Sequence, residues 1–302
     1  MQNKIIILGG SGFIGKKLSK HLKQGGYDLI IFSLNPEESS KSHPEFQHVK
    51  WTPEKPELWN EHLNNAFAVI NFAGASIGGG RWTKKYKEEI LNSRLIATNT
   101  LVEEILKSEK PPEVFINASG VDYYGDTGDT EVDESSPVGE GFLASVCRQW
   151  EEAAFKASAK TRVVAARMGL VLAKEALAMK RMLLPFKLFI GGPLGTGKQC
   201  IPWIHIDDVV EMYKWVIEND SIKGPVNFVS PHLVTMNQFA KAMGKTLHRP
   251  SIFKVPEFML RIAVGESADM IVNSKRVVPR VALDKDFQFK NRELQKALID
   301  IL

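Results

Sequence analysis

The apolar positions change period along the chain. Ile5-Ile6-Ile7-Leu8 is an uninterrupted run, the pattern of a short strand buried on both faces. Lys16–Leu22 instead places Leu18 and Leu22 four apart among lysines, the spacing of an amphipathic helix. Strand-like runs recur at Leu29–Phe32, Ala66–Ala73, Val114–Ala118 (after Pro111-Pro112) and Val163–Ala166. Helical spacing covers Trp82–Lys107, with Tyr86, Ile90, Leu91, Leu95, Leu101 and Ile105, and again Phe142–Ala159. This alternation predicts an α/β fold, a doubly wound parallel sheet with helices on both faces. Such sheets bind ligands beyond the carboxyl ends of their strands. The loops to watch are therefore Gly9–Gly15, Ser33–Asn35, Ala73–Ser76, Ser119–Gly125 and Arg167–Leu170.

After residue 170 the rhythm loosens. A glycine loop (Gly191–Gly197) precedes a short strand at Trp203–Ile206 and a helix near Asp208–Glu218. Val226–Val229 and a helix near Met236–Gly244 follow. The expected organisation is a Rossmann-type domain over residues 1–170, with later strands from 200–230. A smaller C-terminal substrate-binding part would span 171–302.

Gly9-Gly10-Ser11-Gly12-Phe13-Ile14-Gly15 lies between the first strand and the first helix. That setting makes a glycine pattern a dinucleotide signal. One glycine forms the turn, one lets the backbone approach a pyrophosphate, and Gly15 lets helix and strand pack closely. The helix N-terminus supplies N–H groups and a positive dipole end. NAD sites place an acid about 20 residues on, for the ribose 2′-hydroxyl. Here that point is Phe32-Ser33-Leu34-Asn35, without an acid. NADP is favoured, NAD being the alternative, with Ser33, Asn35 and Lys41 as the polar groups at hand.

Composition narrows the function classes. Net charge is +4 over 302 residues and its lysines are scattered, which speaks against nucleic acid. No apolar run reaches about 18 residues, so no membrane span is expected. The opening strand leaves no room for a signal peptide. Two cysteines, Cys147 and Cys200, lack metal spacing and point to a reducing, cytoplasmic setting; the partner expected for the fold is a small-molecule substrate. Gly192–Lys198 fits a phosphate-loop spacing, but Gln199 follows where a hydroxyl is needed and Pro202 blocks a helix. His205, Asp207 and Asp208 have no third ligand nearby in sequence, so no metal is expected. Asp207 is instead the expected cap of the next helix. Arg81 and Trp82 are candidates for an anionic or sugar substrate, against a structural role for the Trp.

These pieces together resemble extended short-chain dehydrogenase/reductases, and most closely their atypical epimerase-family branch. The resemblance rests on the glycine turn, Asn71-Phe72-Ala73-Gly74-Ala75, Arg81-Trp82-Thr83, Ser93-Arg94 and Ala118-Ser119 with Tyr123-Tyr124-Gly125. It continues through Gly191–Gly197, Trp203–Asp208 and Asn227–Pro231, in order through most of the chain. It implies NADP binding, adds Ala73, Gly74, Arg94 and Arg167 to the cofactor set, and allows a homodimer built on the two long helices. It also implies a nucleotide sugar as the substrate class. Leu34 stands where the branch has Arg, and Asp122 where it has Gly. The Tyr-x-x-x-Lys pair of such reductases is missing: the Tyr slot holds Leu143 and the Lys slot Cys147, a residue read as small and buried. Arg148, one step on, points about 100° away. Ser119, Tyr123 and Tyr124 remain as catalytic candidates. Two functions stay open: an NADP(H)-dependent oxidoreductase or epimerase acting on a hydroxyl- or carbonyl-bearing molecule, and a non-catalytic NADP(H) sensor or scaffold.

Overall fold

The computed structural model describes residues 3–302. In chain order its strands are β1 (Lys4–Leu8), β2 (Asp28–Ser33), β3 (Gln47–Lys50), β4 (Ala68–Asn71), β5 (Val114–Gly120), β6 (Glu131–Val132) and β7 (Arg162–Met168). β8 (Leu170–Leu172), β9 (Cys200–Ile201), β10 (Trp203–His205), β11 (Gly224–Phe228), β12 (Val234–Thr235) and β13 (Arg276–Val277) follow. The helices are α1 (Phe13–Gln24), α2 (Pro36–Ser42), α3 (Lys84–Lys107), α4 (Phe142–Phe155), α5 (Leu177–Lys187) and α6 (Ile206–Glu218), then α7 (Met236–Leu247), α8 (Glu257–Val264), α9 (Asp269–Val272), α10 (Arg280–Asp284) and α11 (Leu294–Ile301).

Seven strands form one sheet in the order β11-β7-β5-β4-β1-β2-β3, and every adjacent pair is parallel. The order turns at β1, with β2 on one side and β4 on the other. At such a switch point the strand ends part and leave a crevice. The unbroken apolar run of β1 now has its reason. Ile5 and Ile7 join one core with Leu18 and Leu22 of α1 and Val209 and Val210 of α6. Ile6 and Leu8 join the opposite core with Leu101 and Ile105 of α3. Alternate side chains of one strand thus serve both layers.

β3 and α2 went unseen in the apolar pattern. β3 is an edge strand reading Gln-His-Val-Lys, and α2 is a polar turn of helix opening on Pro36. An edge element has little core to bury, so it writes little hydrophobic signal. Short two-stranded pairings outside the seven-stranded sheet link the later segments to the loops that leave it. β13 pairs with β6, in the segment after β5, and β10 with β8. Both cysteines are buried and free. Among the described residues no helix is long and apolar enough to cross a membrane.

Candidate dinucleotide site and its polar neighbour

The glycine turn divides its duties residue by residue. Gly9 takes φ +78°, a left-handed conformation suited to glycine. A Cβ on Gly15 would sit 2.6 Å from Gly10 Cα, so α1 rests directly on the turn. Gly12 precedes α1, and no side chain caps that helix. Its first-turn N–H groups are left without a side-chain acceptor, as an anion site requires.

Above this turn lies a cavity of about 1080 Å³ along the ends of β1 to β4. Gly9, Ser11, Gly12, Ser33, Asn35, Ala73 and Gly74 of the expected cofactor residues line it. Gly10 and Gly15 lie beneath as packing contacts. Ile14 packs against the core, and Phe13 stands partly exposed beside the turn. Arg94 is under the Ala73–Ala75 loop: its guanidinium donates to the Ala75 and Ile90 carbonyls (3.0 and 2.9 Å) and stacks on Trp150. The same loop is held by Ala73 N–H to Asn71 Oδ1 (3.0 Å) and Ala75 N–H to Ser93 Oγ (2.9 Å). Behind it, Asn71 donates to Asn117 Oδ1 (2.7 Å) and Thr98 Oγ1 (3.0 Å), and Trp150 donates to Thr98 (2.8 Å). Asn117 and Thr98 have no role in the sequence motifs, and Asn71 stands there only as part of the family pattern. Their signal was polarity inside otherwise apolar elements, since a buried amide persists only when paired.

Arg167, expected on the cofactor, is placed elsewhere. It is 3 % exposed at the end of β7 and does not line the cavity. Its Nε and Nη2 donate to Glu151 of α4 (2.9 and 2.7 Å), and Nη1 donates to the Tyr124 hydroxyl (2.9 Å). A planar fork with five donors suits this bidentate pairing. Ser119 Oγ donates to the same Glu151 carboxylate (2.6 Å), and Tyr124 donates to Asn227 Oδ1 of β11 (2.8 Å). Asn227 N–H in turn donates to Glu134 (2.9 Å). Ser119 and Tyr124 are therefore occupied within the protein. Tyr123 differs: its ring lies over the Arg167 guanidinium at 3.5 Å, and among the described residues its hydroxyl makes no hydrogen bond.

Burial pushes the Tyr124 phenol up to about 12, although Arg167 and Asn227 pull the other way. Burial likewise pushes the Cys147 thiol up to about 12, with Asp122 and Glu151 adding to it. Cys147 is thus an inert packing residue. Both groups hold their protons more tightly folded than unfolded, where they titrate near pH 10 and 8.5. Their contribution is complete below those values and is lost as pH rises toward about 12. Thermal unfolding across pH 8–12 is expected to show a falling midpoint from about pH 9, less steep in Cys147→Ala. An identical slope in that variant would refute the assignment.

The remaining candidates resolve into contacts. Asp122 pairs with the buried Lys275, brought in just before β13, at 3.2 Å. Arg148 pairs with Glu152 on the surface (3.0 Å). Trp82 is buried and donates to the Ile77 carbonyl (2.9 Å), while Arg81 donates to the Ile262 carbonyl of α8 (2.9 Å). The cap of α6 is His205, not Asp207: its Nδ1 accepts the Asp207 N–H (3.2 Å). β10 ends one residue earlier than a cap at Asp207 needs, so Asp207 lies in the first helical turn, 3.2 Å from Lys17. Asp208 is buried and accepts the N–H groups of Lys290 and Asn291 (2.8 and 2.9 Å). α11 also delivers an acid that local spacing could not show, Asp300, 3.2 Å from His205 Nε2. His205, Asp207 and Asp300 thus bring three donor atoms within 4.8 Å of one another, Asp300 being the third group that the sequence did not show, and Asp208 fastens the segment before α11 to α6. The Gly191–Gly197 loop meets the segment before α8 through a bridge between Leu194 and Val255, and the short strand β9, not a helix, follows it.

Comparison with known proteins agrees with this architecture. Residues 5–229 match the NAD dependent epimerase/dehydratase family, and residues 255–301 a domain of unknown function, DUF1731. The chain belongs to the epimerase/dehydratase family. The epimerase family protein YfhF of Bacillus subtilis is 36% identical over 302 residues, 99% of this chain and 97% of that protein. The chloroplastic SDR39U1 homolog of Arabidopsis thaliana is 34% identical over 303 residues, 100% of this chain and 87% of that protein. The human epimerase family protein SDR39U1, solved with NADPH, superposes with TM-score 0.90 at 32% identity, over 99% of this chain and 98% of that one. The seven-stranded parallel sheet, its first residue Lys4 apart, thus lies within the epimerase/dehydratase match, and α8 to α11 lie within the match to the domain of unknown function.

Proposed function

We propose that the protein binds NADP(H) in the cavity over the glycine turn and acts as an oxidoreductase or epimerase-like enzyme on a hydroxyl- or carbonyl-bearing small molecule. The observation that carries this reading is the cavity itself. It joins an uncapped helix N-terminus at Gly12 to the acid-free Ser33-Leu34-Asn35 turn. The turn offers no carboxylate to a ribose 2′-hydroxyl and none to repel a 2′-phosphate. The similarity to the NADPH-bound human protein supports the same cofactor. When bound, the nicotinamide would supply or accept the hydride.

The chain's own part in proton transfer falls to Tyr123. Ser119 and Tyr124 spend their hydrogen bonds on Glu151, Asn227 and Arg167, whereas the Tyr123 hydroxyl has no partner among the described residues. Its ring is held over the Arg167 guanidinium, which fixes the phenol in place. A nucleotide sugar is the substrate class the family resemblance suggests, with a cytoplasmic setting. A second reading, an NADP(H) sensor without turnover, is favoured by one observation: Leu143 and Cys147 occupy the usual Tyr and Lys slots, and both are buried.

Titration with NADPH, followed by tryptophan fluorescence, tests binding. Consumption of NADPH absorbance across a carbonyl panel tests turnover. Saturable NADPH binding with turnover that falls at least about a hundred-fold in Tyr123→Phe is expected. Binding without turnover on any substrate selects the sensor. No binding of either nicotinamide dinucleotide overturns both.

A further inference from the structure

The Ser33-Leu34-Asn35 turn carries no cation of its own, yet the fold brings one to the same end of the cavity. Lys50 is the last residue of β3, directly beside Ser33 of β2 in the parallel register. Its ammonium reaches across the turn and donates to the Leu34 carbonyl. It lines the cavity together with Ser33, Leu34 and Asn35. The Leu34 side chain is 64 % exposed and offers no polar group. Among the described residues no carboxylate pairs with Lys50. Its charge is therefore available to a ligand.

The mount is rigid. The N–H of Trp51, the next residue, donates to the Ser33 carbonyl (2.8 Å). The Trp51 ring packs at 4.4 Å on Trp59 and stacks near Phe32, so the backbone under Lys50 is bolted into the core. The turn facing it is also braced, with Asn35 N–H donating to Ser33 Oγ (3.2 Å). Glu38 and Glu54 also line the cavity, but the turn itself carries no carboxylate, and a flexible ammonium on a fixed base over it suits a dianionic phosphate monoester better than a hydroxyl. In a doubly wound sheet the ribose of the adenosine half meets the end of β2.

The geometry points to Lys50 as the residue that recognises the 2′-phosphate and selects NADPH over NADH, in place of a cation at position 34. This rests on the cofactor reading above.

Dissociation constants for NADPH and NADH, measured by calorimetry on wild-type protein, Lys50→Gln and Lys50→Arg, test it. Lys50→Gln is expected to weaken NADPH about ten-fold, the size of one charge-assisted hydrogen bond, with NADH unchanged within about two-fold. Lys50→Arg should keep the preference, and Leu34→Arg placed on Lys50→Gln should restore it. Wild-type protein that binds neither dinucleotide would overturn the cofactor reading itself. Wild-type protein that binds NADPH while Lys50→Gln leaves its affinity intact, or weakens NADH equally, would overturn this assignment alone.

Discussion

Arg167→Met is expected to destabilise the fold by about 3–5 kcal/mol, because it strands a buried carboxylate. Glu151 is 4 % exposed and takes two of its hydrogen bonds from Arg167. Without that partner, Ser119 Oγ is the one donor left to it among the described residues. The Tyr124 hydroxyl loses the Nη1 donor at the same time, and Tyr123 loses the cation beneath its ring. Adding Glu151→Leu should recover part of the loss, since an ion pair replaced on both sides costs far less than one broken on a single side. The recovery stays incomplete because Ser119 then lacks its acceptor. Denaturant titration with helical circular dichroism reads all three proteins. A single variant within about 1 kcal/mol of wild type would show that the ion pair is dispensable.

Gly15→Ala has two opposing effects, and the geometry decides the sign. Alanine favours a helix interior over glycine by about 1 kcal/mol. The new Cβ, however, would lie 2.6 Å from Gly10 Cα and 2.8 Å from its carbonyl carbon and oxygen. Those atoms are backbone of the glycine turn and cannot rotate aside. Overpacking of this kind costs about 1–3 kcal/mol, so the net change is destabilising. The larger effect is on binding. α1 must lift away from the turn, carrying its first-turn N–H groups with it, and NADPH affinity is expected to fall more than about ten-fold, the worth of one good hydrogen bond or more. Gly80→Ala is the control, since its Cβ would meet nothing within 4 Å. Gly15→Ala protein that binds NADPH as tightly as the control would disprove the close-packing argument.

The glycine turn was legible because its signal is local. A strand, a turn and a helix succeed one another within about twenty residues, and each constrains its own backbone. Ser33 and Asn35 were legible for the same reason, lying one strand further on. Lys50 was not, since β3 carries a single apolar residue and only its register beside β2 brings the lysine to the site. Arg167 illustrates the other limit. Its position at a strand end suggested a ligand, yet Glu151, sixteen residues earlier on α4, claims it. The cap of α6 was missed by two residues because a histidine ring nitrogen did what a carboxylate was expected to do.

The alternation of strands and helices, the doubly wound sheet and the place of the cavity over the glycine turn were all legible in the order of residues. Each follows from backbone period and chain order, which are properties of neighbours along the chain. Only the tertiary structure decided which polar side chains remain available. Ser119, Tyr124 and Arg167 are engaged by Glu151 and Asn227, and Asp122 by Lys275, partners lying from sixteen to more than 150 residues away in sequence. A buried polar group must find its partner wherever packing brings one, and packing is a property of the whole fold.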